Sequence, residues 1–158
     1  MKKIILLLLI SLSSYYGHAQ SLEHERDSLR LSLQNEKTDT GRVLTLANLC
    51  FAYFESNPDT AMIMALQALE LSRKVSFAKG EAVSLNRIAN VYSILGNYSK
   101  AMEVLLQALP INEKINNVDG KQRNLTNIGV IYNRQSDYQQ ALSYLFKTKL
   151  LPMLIKKP

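Results

Sequence analysis

Cys50 and His24 are the residues of this 158-residue chain whose types could sustain nucleophilic chemistry, a thiolate activated by an imidazole base. The other histidine, His18, lies in a segment read below as removable, so His24 is the single base available. Nothing in the spacing of the pair brings them together. Cys50 stands between Leu49 and Phe51 on an apolar helical stripe, which predicts a buried small hydrophobe. A lone cysteine also rules out an intramolecular disulfide scaffold and a cysteine-rich zinc site. His24-Glu25 lacks the second histidine of a zinc-protease helix. The six glycines fall singly, with no phosphate-cradling loop, and Glu23, Glu25 and Asp27 read as a solvated helix face. Asn97-Tyr98-Ser99 and Asn124-Leu125-Thr126 match the N-glycosylation sequon, although a turn and a helix explain the two asparagines equally well. The expectation is no enzyme, no cofactor and no metal.

The elements that carry these residues are helical. The chain is 47% hydrophobic and 20% charged, with four prolines, too apolar for a disordered tail and too poor in Gly and Pro for a fibre. Its net charge is +6, and loss of Lys2 and Lys3 with a leader lowers that by two. Such a surplus aids solubility without naming a partner. Nucleic-acid binding would need a basic stripe interleaved with aromatics. Here Lys and Arg are scattered and the tyrosines are committed to packing, so no nucleic-acid partner is expected.

The chain repeats itself. Gly41, Gly80 and Gly120 each open a similar stretch, 39 and 40 residues apart. The first holds Leu46-x-x-Leu49-Cys50-x-x-Tyr53, then Ala61-x-x-x-Ala65. The second holds Leu85-x-x-Ile88-Ala89-x-x-Tyr92, then Ala101-x-x-x-Leu105. The third holds Leu125-x-x-Ile128-Gly129-x-x-Tyr132, then Ala141-x-x-x-Leu145. A period near 40 built from two helical stretches means stacked helical hairpins. Leu85, Ile88, Ala89, Tyr92 and Leu95 form one buried stripe, continued by Ala101, Leu105, Ala108 and Ile115. Cys50, Ala89 and Gly129 stand where helix backbones must approach, Ala61, Ala101 and Ala141 mark the partner helix, and the tyrosines wedge between them. Turns are expected at Asn57-Pro58, with Asn57 as N-cap, at Gly96-Asn97 and at Ser136-Asp137. Asp119 with Gln122 is expected to cap the opening of the third pair. Pro110 should kink its helix, and Pro152 should stop the last one a residue or two earlier.

The three copies, spanning about Thr40 to Lys149, resemble the tetratricopeptide repeat, whose pattern is Trp-x-x-Leu-Gly-x-x-Tyr, then Ala-x-x-x-Phe, then Pro. Leu replaces the Trp in each copy, Leu or Ala the Phe, and the late Pro is absent. The linkers read as longer than in the 34-residue form. The resemblance implies an all-α, right-handed α-solenoid of three helical hairpins, to which the preceding residues add an N-terminal helix after a cleaved signal peptide, as read below. It also implies a concave groove, lined by the first helix of each hairpin, that holds a protein or peptide partner. Carried over by register, the candidates are Phe51, Phe54, Asn86, Asn90, Arg123, Asn133 and Arg134, with Asn90 and Arg134 foremost. An amide offers donor and acceptor to a peptide backbone, and a guanidinium offers a charged fork to a carboxylate. The family's carboxylate clamp needs a lysine where this chain has Ala47, so no clamp is expected.

Residues 1–19 read as a secretory signal peptide cleaved after Ala19: Lys2-Lys3, an apolar run from Ile4 to Leu12, then Gly17-His18-Ala19. The run is too short to span a bilayer, and no later stretch could, so a secreted or periplasmic protein without a membrane span is expected. Residues 20–37 hold an amphipathic helix (Leu22, Leu29, Leu33 with Arg26 and Arg30) that could cover the first hairpin. Repeats are placed at 38–78, 79–118 and 119–151, and a tail at 152–158. The third hairpin would leave Leu142 and Leu145 uncovered. Self-association through that face, a partner chain, or a truncated reading frame would each explain it. The layout also resembles exported sensor regions of Bacteroidetes two-component histidine kinases. That gives a second functional expectation: the input portion of such a signalling protein, without its membrane and kinase parts.

Overall fold

A polar side-chain acceptor followed by an apolar stripe is a helix start signal, and helices begin where this chain carries it. In the computed structural model, which describes residues 22–155, residues 22–35 form helix α1. Six more follow: α2 (Asp39–Tyr53), α3 (Pro58–Lys74), α4 (Ala78–Ile94), α5 (Tyr98–Lys114), α6 (Val118–Arg134) and α7 (Tyr138–Ile155). The described residues contain no strand. The leader expected at residues 1–19 and the last three residues of the tail lie outside the described residues.

Thr38, Asn57, Asn97 and Asn117 cap α2, α3, α5 and α6 by accepting from the N–H groups of Gly41, Thr60, Lys100 and Gly120 at 3.0–3.2 Å. Pro58 takes the first turn of α3, where its missing N–H costs nothing. The cap expected from Asp119 with Gln122 is corrected: Asn117 does it, and Asp119 sits in the first turn, where its charge suits the positive helix end.

The turns explain the period. In α3, α4, α5 and α6 a 17-residue helix is followed by a three-residue turn, and two such 20-residue units make one 40-residue repeat. The expectation of longer linkers is therefore corrected, because the extra residues extend the helices. Each turn passes through one residue in the left-handed region, Ser76, Gly96, Asn116 and Ser136, at φ of 54°, 76°, 54° and 63°. The N–H of the following residue closes a 6→1 bond onto the helix (Phe77 to Ser72, Asn97 to Tyr92, Asn117 to Asn112, Asp137 to Tyr132) at 2.8–2.9 Å. This is the Schellman ending, repeated every 20 residues. The first hairpin, whose tyrosine-to-alanine interval is one shorter, closes instead with Asn57 N–H on the Tyr53 carbonyl at 2.8 Å.

The stack buries the expected stripe. Leu49, Leu85, Ile88, Leu105 and Ile128 are buried, as are Leu46, Cys50, Tyr53, Ala61, Ala89, Ala101, Leu125, Gly129 and Ala141. Tyr92 and Tyr132 are half-buried, and Tyr132 stacks on Tyr144 with ring centres 5.5 Å apart. Burying each leucine or isoleucine fully contributes about 1.5–3 kcal/mol. A methyl at Gly129 would lie 3.3 Å from the Ala141 carbonyl oxygen, so α6 and α7 do approach there. Leu95 departs from the buried stripe: it is the C-cap of α4, past the last full turn, and is 53% exposed.

The inner helices α2, α4 and α6 touch one another in sequence, whereas α3, α5 and α7 touch only helices of the inner row. An array whose inner row is in contact and whose outer row is spread curves toward the inner row. The concave face is therefore that of α2, α4 and α6.

Both ends have a physical account. The buried Arg26 ties α1 to the first hairpin by donating to the Ala52 carbonyl at 3.0 and 3.1 Å and to the Ser56 hydroxyl, with its guanidinium 4.6 Å from the Tyr53 ring centre. Leu29 and Leu33 pack beside it on the core. At the other end Leu142, Leu145 and Phe146 are exposed. Helix α5 runs through Pro110 to Lys114. Helix α7 runs through Pro152 to Ile155, so the early stop expected at Pro152 is corrected. Proline's fixed φ lies within the helical range, and its cost is one hydrogen bond and local crowding at the preceding turn.

Candidate functional site

Every sequence-derived groove candidate lies on α2, α4, α6 or the residue ending α2. Phe51 and Phe54 stack with ring centres 5.2 Å apart, and Phe51 is half exposed. The Arg87 guanidinium reaches from α4 over the Phe51 ring, 4.8 Å from its centre. That contact joins the first two inner helices through a cation–π pair. Between the second and third, Asn127 donates from Nδ2 to Asn86 Oδ1 at 3.2 Å and to Asn90 Oδ1 at 2.7 Å. Asn86, Asn90 and Asn127 thus form one amide cluster across α4 and α6.

Arg123 is exposed and lines a cavity of about 220 Å³ together with Lys79, Asn86 and Arg87. Leu44 and Asn48 complete its α2 wall, and the buried Asn112 and Asn124 reach its floor. Asn133 and Arg134 stand exposed at the far end of α6 and do not line this cavity. The structure therefore gathers Asn86, Asn90 and Arg123 with one another and places the Phe51–Phe54 shelf beside them, while Asn133 and Arg134 stay apart.

Sequence reasoning missed Asn48, Lys79, Arg87 and Asn127. Three of them had a signal. Asn48, Arg87 and Asn127 each stand one residue before the Leu49, Ile88 or Ile128 of the repeat motif, a polar column in register down the inner face. A polar residue beside a buried stripe reads as ordinary solvated helix unless the copies are superposed.

The asparagines at positions 112, 117 and 124 do structural work. Asn117 donates to Asn112 Oδ1 at 2.8 Å, Asn112 to Asn124 Oδ1 at 2.8 Å, and Asn124 to the Leu105 carbonyl at 3.1 Å. A Cβ on Gly120 would fall 2.1 Å from Asn112 Oδ1, so glycine there makes room for the network. Asn124 is buried by this bonding, as a structural helix asparagine, whereas Asn97 is the exposed N-cap of α5.

The groups that could have done nucleophilic chemistry are not assembled. Cys50 is buried, and burial pushes its thiol up to about 11, against a smaller opposing effect of Arg87. His24 is exposed on α1. Glu23 pairs with Arg26, and Asp27 with Arg30 at 2.8 Å. Among the described residues no three His, Cys, Asp or Glu side chains gather at metal-binding distance, and no helix is long and apolar enough to cross a membrane.

Comparison with known proteins agrees with this architecture. Residues 80–147, the second and third hairpins, match a family model described as tetratricopeptide repeat. No curated protein matches the sequence. Among solved structures, the crystal structure of BtubC (BKLC) from P. vanneervenii is similar, with a TM-score of 0.55 and 15% identity over 90% of this chain and 77% of that one. At that identity the likeness shows the fold alone. The described residues form an all-α solenoid, and its second and third hairpins match the tetratricopeptide repeat, a repeat that generally mediates protein–protein interaction.

Proposed function

We propose that this chain is a non-enzymatic binding protein that holds an extended peptide or protein segment along the concave face of α2, α4 and α6. The observation that carries the reading is the surface itself. A stacked aromatic pair, an amide cluster and an acid-free cationic cavity follow one another across the three inner helices. An extended chain needs donors and acceptors for its backbone and flat apolar surface for its side chains, and this face offers both. What supports export is the sequence of residues 1–19, which reads as a leader followed by the repeats. The sensor-input reading rests on that same layout.

The test is selection of displayed peptides on the purified protein, followed by affinity measurement. Phe51→Ala, Asn90→Ala and Asn127→Ala should each weaken a selected peptide at least tenfold, with Gln107→Ala, exposed on the outer helix α5, unchanged. Equal loss from Gln107→Ala, or none from the three inner variants, would remove the groove reading.

The exposed Leu142 and Phe146 on α7 support a second surface, through which copies of the chain self-associate. Sedimentation should show a concentration-dependent dimer that L142E/F146E abolishes. A monomer at every concentration would dismiss it.

A further inference from the structure

Where α1 begins and α2 ends, the Phe51–Phe54 pair borders a second cavity, of about 410 Å³. Leu22, Ala52 and the two rings give it an apolar wall. Glu25 from α1 and Glu55 from the turn after α2 bring carboxylates to the same space. Both glutamates are exposed, and neither belongs to an ion pair among the described residues. In a chain of net charge +6, a cavity edged by two unpaired carboxylates is a local exception. Arg26, the cation in its lining, does not neutralise them. That guanidinium is 8% exposed overall, pairs with Glu23, and donates to the Ala52 carbonyl and the Ser56 hydroxyl.

The aromatic rings at this end of the molecule already hold guanidinium groups. Arg87 lies over Phe51 at 4.8 Å from the ring centre, and Arg26 and Arg30 lie over Tyr53 at 4.6 and 5.6 Å. Arg87 reaches Phe51 from α4 and does not line the cavity, so the cavity side of the aromatic pair is open. The two rings are 15° from parallel and present one broad flat surface. A ring face attracts a cation, and a carboxylate beside it adds charge-assisted hydrogen bonds. A flat cation with an apolar stem meets all three features of the cavity: rings, carboxylates and aliphatic wall.

We propose that this cavity takes an arginine side chain of the segment held along the concave face, its guanidinium on the Phe51–Phe54 pair and paired with Glu25 and Glu55. The inference rests on the groove reading and names the residue that anchors the segment at the first hairpin. Arginine suits the site better than lysine. Its planar head stacks on a ring and forks to a carboxylate, whereas an ammonium is a compact, strongly hydrated point charge. Its aliphatic stem lies against Leu22 and Ala52 while the charged head reaches the glutamates.

The experiment follows the ring signals of Phe51 and Phe54 and the carboxyl signals of Glu25 and Glu55 by NMR while the protein is titrated. The probes are acetylated, amidated tetraarginine, tetralysine, and tetracitrulline, which keeps the shape of arginine without its charge. Tetraarginine should move all four signals saturably, and the other two peptides should bind at least tenfold more weakly. E25Q/E55Q, at exposed positions that folding does not depend on, should weaken tetraarginine at least tenfold. Phe51→Leu, checked for native helicity, should do the same. The proposal is overturned if tetracitrulline or tetralysine binds as tightly, if E25Q/E55Q leaves the binding unchanged, or if no signal moves. A selected peptide that needs Asn90 and Asn127 but leaves the Glu25 and Glu55 signals still would overturn the arginine site and leave the groove standing.

Discussion

Replacing Asn124 with leucine tests whether the polar chain between α5 and α6 holds the second and third hairpins together. Asn124 is 1% exposed and joins α6 to α5 twice, accepting from Asn112 at 2.8 Å and donating to the Leu105 carbonyl at 3.1 Å. Leucine has the same branched skeleton but is bulkier, so no cavity is left, and overpacking adds to the polar cost. The Asn112 NH2, in a residue itself 2% exposed, loses its acceptor and costs about 1–3 kcal/mol as an orphaned buried donor. The bond to Leu105 adds about 0.5–1.5 kcal/mol, less than an orphaned group would, because that carbonyl can still accept within its helix. The expected loss is about 3 kcal/mol, or a thermal midpoint lower by roughly 10 °C for a chain of this size. Urea denaturation followed by circular dichroism, with unchanged slope, reads it directly. N112L/N124L removes both ends of the bond, so it should lose at least 1 kcal/mol less than the sum of the single changes. A single-variant loss under 1 kcal/mol, or strict additivity, would refute the network argument.

Other outcomes follow from the turns, the thiol and the N-terminal helix. Ser76→Gly and Ser136→Gly should each raise stability by about 0.5–1 kcal/mol, since they relieve a non-glycine residue at positive φ, while Gly96→Ala should lower it by about 1 kcal/mol; urea midpoints decide both. Cys50 should resist a thiol reagent at pH 8 until the protein unfolds, and labelling at the rate of an unprotected thiol would contradict its burial. Its raised pKa means the folded state holds the proton longer than the unfolded one. Stability should therefore be level up to about pH 9 and fall between there and about 11, a decline that Cys50→Ala should reduce. Arg26→Met should cost about 2–3 kcal/mol and open residues 22–35 to protease before the repeats, because a buried guanidinium with three acceptors is what fastens α1. Simultaneous cleavage of α1 and the repeats would show that α1 is not fastened by Arg26.

Much of the fold was legible because its signals are local and repeated. Leu85-x-x-Ile88-Ala89-x-x-Tyr92 and its two copies carry helical spacing, small residues at the crossings and a fixed register, and the structure buries them together. The length of the linkers was not legible. The left-handed residues at the turns are Ser and Asn in three of four cases, so only Gly96 announced its geometry. Asp119 was read as a cap because carboxylates suit helix starts, but Asn117 accepts the bond two residues earlier. Leu95 fitted the spacing and still lies outside, since periodicity does not say where a helix ends. The groove was half legible. Register placed Asn86, Asn90 and Arg123 on the inner row of helices, where the structure has them. It could not say that Asn127 would bind two of those amides, or that Arg87 would lie over Phe51, since both depend on the distance between helices 40 residues apart.

The most direct test of the concave groove is a residue-by-residue map of amide shifts when a selected peptide binds. The expected footprint covers the inner positions of α2, α4 and α6, with Phe51, Asn86, Arg87, Asn90 and Asn127 moving most and the outer faces of α3 and α5 still. A footprint centred on those outer faces, or on the exposed side of α7, would contradict the account.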